Sequence, residues 1–321
     1  MRTLFITHKT KQCGVKEHGH RFLSALVEHS PPQDEWISAE VSSAQEIRRA
    51  VDYHRPGVTV VNLHPLTTPP LPNIPNGGFN TRLVALPHEN LTSKAAGSFL
   101  SDYKCFSAVL WQDPTLVDDF PGVYKIGRVV PRFLKTRERR KYPKTLIKVF
   151  GFGFGDKQPE LMIKLIEESF DSAVIEGHFP TNEIADPDGR NGEIMMERLS
   201  KAVTKPGLEV VSSWPMLQKS YMPQNDMIEW LSESDVNLSL HGDGTGIAST
   251  TDLMLAARVP FAVNDSPFFR HLPSEIKIRP GNPIKGIMAQ GIEPWKDLVD
   301  FEWSPARFSK NVNEALKRIV S

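Results

Sequence analysis

The sequence predicts an α/β fold made of two Rossmann-like parallel-sheet domains facing a cleft. Three observations predict it. Short apolar, β-branched runs alternate with amphipathic stretches along the chain, as in the strand–helix–strand units of a parallel sheet. The series begins afresh after a basic, Pro-flanked segment at 131–144, so the architecture is used twice. The length of 321 residues suits two domains better than one. The boundary falls near Pro143, which gives domains over 1–143 and 144–321, the second ending in a closing helix.

Taken in order, residues 4–7 read as a short buried strand. A helix follows at 14–29, with Phe22, Leu23, Leu26 and Val27 on one face. Residues 36–41 read as a strand and 43–53 as a helix opening on a Ser cap. The run 58–63 is β-branched and apolar, as expected of a strand covered on both faces. A Pro-, Asn- and Gly-rich loop spans 65–80, and strands follow at 82–86, 107–110 and 123–130. In the second half the predicted strands are 146–150, 172–176, 208–211, 236–240 and 261–263. The predicted helices are 160–170, 193–203, 225–232, 250–258 and the closing helix 303–320.

Composition narrows the function classes. Lys plus Arg and Asp plus Glu number 38 each, so the chain as a whole is not built to hold a polyanion. Two cysteines, Cys13 and Cys105, suit a reducing compartment rather than a disulfide framework. The first apolar stretch is too short for a signal peptide, and no run approaches the ~20 residues of a membrane span. The expectation is a soluble, cytoplasmic protein without a transmembrane segment.

Ligands of open parallel sheets bind beyond the carboxyl ends of the strands. Five of the ten histidines fall there in this reading: His8, His64, His88, His178 and His241. A glycine-rich run, 151–155 (GFGFG), follows another strand and lets backbone approach a ligand. The richest segment is 242–272. There Gly244 and Gly246 precede Ser249 and Thr250 at a helix start suited to an anion. Ser249 and Asp252 stand at capping-box spacing, so Asp252 serves its own helix, a ligand, or both.

Three other signals carry less. Asp186-Pro187-Asp188 has a metal-binding D-x-D pattern but reads as a solvated turn in a Gly/Asn-rich loop. The basic run Arg132, Lys135, Arg137, Arg139, Arg140, Lys141 and Lys144 reads as a solvated linker face. Neither cysteine has metal-ligand spacing, and there is no Ser nucleophile elbow.

Several of these segments, in this order, resemble the family 4 glycosyltransferases, which have the GT-B fold. Cys13-Gly14-Val15 before an amphipathic helix resembles their first glycine loop, and 55–64 (RPGVTVVNLH) their "RPDVVHVH" stretch. Residues 83–88 (LVALPH) resemble the strand carrying their active-site histidine, and 146–157 the opening of their second lobe. Residues 244–263 resemble their donor-binding "EGFG…EA…GTPVV" segment.

The resemblance implies a retaining transfer of a sugar from a nucleotide-sugar donor, without catalytic metal or cofactor. It puts Gly14 beside the donor phosphates, His88 against the transferring sugar and His64 on the acceptor side. It makes Lys157 the phosphate-binding lysine, with Gly244, Gly246, Ser249 and Thr250 cradling the diphosphate. The family's arginine falls on Phe152, and its paired glutamates on Thr245 and Leu253. The nearest acids are Asp243 and Asp252, the latter being the candidate catalytic acid. The acceptor is left open among a glycan, a lipid-linked sugar, a small molecule and a modified DNA base. The competing readings are an inactive GT-B-like binding protein and a nucleotide-sugar epimerase.

Overall fold

The computed structural model describes residues 1–10, 13–64, 68, 79–88, 93–133, 143–182, 186–213, 221–244 and 246–321. The chain divides into two compact units. The first comprises Met1–Pro131, Thr245–Ile247 and Asp300–Ser321, and the second Arg132–Gly244 and Ala248–Val299.

The first unit runs β1 (Arg2–His8), α1 (Gly14–His29), β2 (Glu35–Val41), α2 (Ala44–His54), β3 (Val58–Leu63) and β4 (Arg82–Pro87). It continues with α3 (Ser93–Asp102), β5 (Ala108–Trp111) and β6 (Val123–Lys125). The six strands form one parallel sheet in the order β2-β1-β3-β4-β5-β6. Every residue of β3 is buried, as expected of a mostly apolar, β-branched strand covered on both faces. Ser43 caps α2 by accepting from the Glu46 backbone N–H at 3.2 Å, and the Glu46 carboxylate accepts from the Ser42 N–H at 2.8 Å. Ser43→Ala is therefore expected to cost about 1 kcal/mol, read as a lower denaturant midpoint at unchanged slope.

The second unit begins with β7 (Thr145–Phe150), α4 (Pro159–Ser169), β8 (Ala173–His178), α5 (Arg190–Ala202) and β9 (Leu208–Ser212). After α6 (Gln224–Ser232) come β10 (Val236–Ser239), α7 (Thr250–Ala256), β11 (Phe261–Asn264), β12 (Lys277–Ile278) and α8 (Ile284–Gln290). Its parallel sheet has the order β12-β11-β10-β7-β8-β9. Counted within the unit, this is the Rossmann order 3-2-1-4-5-6, with β7 and β10 as the central pair where the winding reverses.

The structure corrects three sequence expectations. The closing helix, α9 (Pro305–Val320), belongs to the first unit and not to the second. Its stripe of Phe308, Val312, Leu316 and Ile319 completes the cluster of Phe5, Phe22 and Leu26, with the Phe22 and Phe308 rings edge to face at 4.8 Å. The strand expected over 123–130 stops at Lys125, because the backbone turns at Gly127 (φ +76°) and Val130 donates to the Trp303 carbonyl. Asp186 is a buried cap and not a solvated turn, since its carboxylate accepts the Asn191 N–H at 3.1 Å at the start of α5. Of the basic run, Lys135, Arg137, Arg139, Arg140 and Lys141 lie outside the described residues. Among the described residues no helix is long and apolar enough to cross a membrane.

Candidate functional site

The winding of the second unit directs attention to the carboxyl ends of β7 and β10, where an open α/β sheet has its crevice. β7 ends in the turn Gly151–Gln158. Gly151 has a φ of +124°, a conformation that L side chains rarely adopt. A Cβ on it would stand 3.5 Å from Lys157 Nζ and 4.0 Å from Thr250 Cγ2, so the lysine and the first residue of α7 share this corner. Lys157 itself lies on the short 3-10 turn Gly155–Lys157 and is buried, 5% exposed. Burial lowers its ammonium to about 8, against the opposing influence of Asp156.

His241 follows β10 and meets this turn. Its Nε2 lies 2.5 Å from Lys157 Nζ, and its Nδ1 lies 2.8 Å from Asp156 Oδ2. The ring stacks on Phe268 (centroids 4.6 Å apart) and meets Phe269 edge-on at 5.4 Å. Its backbone is clamped to Asn264 at the end of β11: the His241 N–H donates to Asn264 Oδ1, and Asn264 Nδ2 donates back to the His241 carbonyl. Burial holds the imidazole below its usual value, outweighing the Asp156 hydrogen bond. Burial raises the Asp156 carboxyl, but the His241 hydrogen bond and the Lys157 charge bring it below the usual range. The result is a shielded ammonium at the winding point of a Rossmann-ordered sheet, an arrangement able to hold an anion.

The first unit has its own winding point, between β1 and β3. His8 ends β1, and His64 and His88 follow β3 and β4, joined by the His88 N–H bonding to the Leu63 carbonyl at 2.9 Å. His88 meets His18 of α1 edge-on at 5.0 Å and His64 at 6.2 Å. Burial, then His64, Arg21 and Arg128, pull His88 down to about 3. His8 is lowered to about 4 by burial, with Lys16 and His64 adding. His18 is lowered for the same first reason. At neutral pH His8, His18 and His88 are therefore uncharged, and a neutral imidazole can donate at one nitrogen and accept at the other. Asn62, fully buried in β3, donates to the Val15 carbonyl at 2.8 Å and ties the start of α1 to the sheet. Gly14 opens α1, whose Cys13 cap makes no side-chain hydrogen bond, leaving the cap to backbone groups.

No protein-family model matches the chain, and no curated protein matches it in sequence. Solved structures do match. AviGT4, a glycosyltransferase involved in avilamycin A biosynthesis, superposes with a TM-score of 0.61 at 10% identity, over 100% of this chain and 98% of its own. A trehalose-6-phosphate synthase gives 0.61 at 11% identity, over 99% of each chain. Alr3699/HepE of Anabaena, in complex with UDP-glucose, gives 0.53 at 8% identity, over 99% of this chain and 95% of its own. This is the GT-B fold.

The GT-B fold divides the residues singled out in the sequence. Gly14, His64, His88 and Gly246 belong to the first unit, and Lys157, Gly244, Ser249, Thr250 and Asp252 to the second. The structure brings His64 next to His88, and Thr250 next to the Gly151–Lys157 corner. Gly244 packs against the Phe268 ring, which would collide with any Cβ there.

The capping box does not form. Ser249 is already helical (φ −71°, ψ −18°) and makes no side-chain cap, while the Thr251 hydroxyl bonds to the Ala248 carbonyl at 2.6 Å. Asp252, in the first turn of α7, is buried, 1% exposed. Sequence reasoning missed Asp156 and gave His241 no specific role, although His241 was one of five strand-end histidines. The missing signal was pairing: the two lie on loops from β7 and β10, 85 residues apart in sequence. Among the described residues no group of three or more His, Cys, Asp or Glu is arranged to hold a metal ion.

Proposed function

We propose that the chain is a retaining glycosyltransferase that takes a sugar from a nucleotide-sugar donor and acts without a metal ion. The observation that carries the reading is the buried Lys157 ammonium beside Gly151 and Thr250, at the winding point of the second unit. In the transfer, the bond between the anomeric carbon and the diphosphate oxygen breaks. The acceptor oxygen bonds to that carbon on the same face, and the acceptor's hydroxyl proton passes to solvent water. The diphosphate leaves with more negative charge than it had in the donor, and Lys157 is the fixed cation that receives it. Thr250, Ser249 and the backbone at Gly244 and Gly246 line the phosphate side. The resemblance gives Gly14 to the donor, His88 to the sugar, as a hydrogen-bonding neutral imidazole, and His64 to the acceptor.

Two neighbours support this reading. HepE is in complex with UDP-glucose, and the trehalose-6-phosphate synthase structure concerns glycosyl transfer with retention. The assignment is tested by calorimetric titration of UDP, GDP and ADP in the presence of EDTA, followed by release of diphosphate from the matching nucleotide sugars. Binding of one nucleotide with slow turnover to water is expected. No binding of any of the three, with no turnover, would overturn it. His88→Ala is expected to lower turnover about tenfold, the value of one hydrogen bond to the sugar, with nucleotide affinity unchanged.

A further inference from the structure

We propose that His241 is a positioning residue for the phosphate-binding cation, with Nε2 anchoring the Lys157 ammonium and Asp156 fixing the imidazole tautomer through Nδ1. The inference rests on the functional reading above and deepens it.

Three observations carry it. The first is directionality. An ammonium has three N–H donors and no acceptor, so at 2.5 Å it can only donate to His241 Nε2. That nitrogen must then be bare, which puts the imidazole proton on Nδ1, where it points at Asp156 Oδ2 2.8 Å away. The chain thus reads carboxylate, imidazole, ammonium, with every proton assigned.

The second observation is that the imidazole is held from all sides. Phe268 stacks on its face, Phe269 closes its edge, and paired bonds to the Asn264 side chain fix its backbone. The Gly242 N–H further donates to the Asp156 carbonyl at 2.8 Å, which locks the β10 loop to the β7 turn. A ring immobilised in this way converts a flexible lysine into a cation at a defined place.

The third observation is electrostatic. The charged groups facing His241 are Asp156 and Lys157, both from the 155–157 turn, whereas the end of β11 presents Asn264 and the loop after it Phe268 and Phe269. Asp156 favours the charged form of both neighbours, opposing the burial that lowers them. Anion affinity should therefore fall as pH rises through about 8, where Lys157 loses its proton.

The test uses the full chain with UDP and inorganic pyrophosphate as probes. His241→Phe keeps an aromatic ring between Phe268 and Phe269 but removes both nitrogens, and it is expected to weaken UDP binding about tenfold. His241→Gln offers an oxygen to Lys157 and an N–H to Asp156, and it is expected to regain most of that loss. A purely structural ring predicts the reverse, with Phe tolerated and Gln damaging, and that ordering would overturn the proposal. Should either variant fail to fold, the tautomer of the wild-type ring decides the matter. Nitrogen NMR of the wild-type protein should show His241 protonated on Nδ1 and bare on Nε2, and a ring protonated on Nε2 would overturn the proposal. If wild type itself binds neither UDP nor pyrophosphate, the functional reading fails first, which separates the two failures.

Discussion

Replacing Lys157 with Met is expected to weaken nucleoside diphosphate binding about a hundredfold while raising thermal stability. The first effect follows from charge. A shielded ammonium bonded to an anionic oxygen contributes roughly 2–3 kcal/mol, and Met offers neither charge nor donor. The second follows from the lowered ammonium. Its value falls from 10.5 to about 8 on burial, so the folded state holds this proton less tightly than the unfolded chain does. Between those values the unfolded chain binds more protons and stability rises with pH, while below about 8 the whole cost of the buried charge is present. Met removes that cost at neutral pH, a gain on the order of 1–2 kcal/mol after loss of the His241 bond, or a few degrees of melting temperature. Calorimetric titration and a thermal melt of the same preparation check both halves. A variant that binds UDP as wild type does would remove Lys157 from the site. A variant that melts lower would show a structural lysine.

How much of this was legible beforehand depended on the range of the interaction. β3 and β7 from Leu146 onward could be read directly, because their runs are mostly β-branched and apolar, as suits strands covered on both faces. The α2 cap was legible because Ser43 and Glu46 lie within one turn. By contrast α3 went unread: its sequence, SKAAGSFLSD, has Ala96, Phe99 and Leu100 on one face, but its small and polar residues leave that stripe short and weak. α9 was read as a helix but assigned to the wrong unit, since nothing local says that its stripe fits Phe22 and Leu26 nearly 300 residues earlier. The site followed the same rule. The histidines at strand ends were visible from the strand pattern, whereas Asp156 acquires its meaning only when β10 is laid beside β7. Ser249 misled because cap spacing is a local signal, and here the helix had already begun at that residue.

The same substitution at a second buried lysine of this unit, Lys148→Met, is expected to act on stability with the opposite sign. Lys148 stands in the middle of β7, fully buried, beside Glu176 of β8 in register. Its ammonium donates to the Trp230 carbonyl, lies 4.6 Å from the centre of the Trp230 ring, and pairs with Glu233 at 3.3 Å and Glu176 at 3.4 Å. Burial still lowers it, so desolvation outweighs the two carboxylates here as well. The difference lies in what Met would leave behind. Beside Lys157 the nearest acid, Asp156, keeps a side chain 38% exposed and can be solvated by water. Around Lys148 the two glutamates are only 13% and 11% exposed, and without the ammonium they face each other as like charges in poor solvent. Breaking a buried ion pair from one side costs about 3–5 kcal/mol, far more than the pair itself is worth. Lys148→Met should therefore lose roughly that much stability at neutral pH, measured by denaturant unfolding. Adding Glu176→Gln and Glu233→Gln should restore most of it, because a neutral cluster no longer needs the cation. A Lys148→Met variant as stable as wild type would mean that water reaches both glutamates.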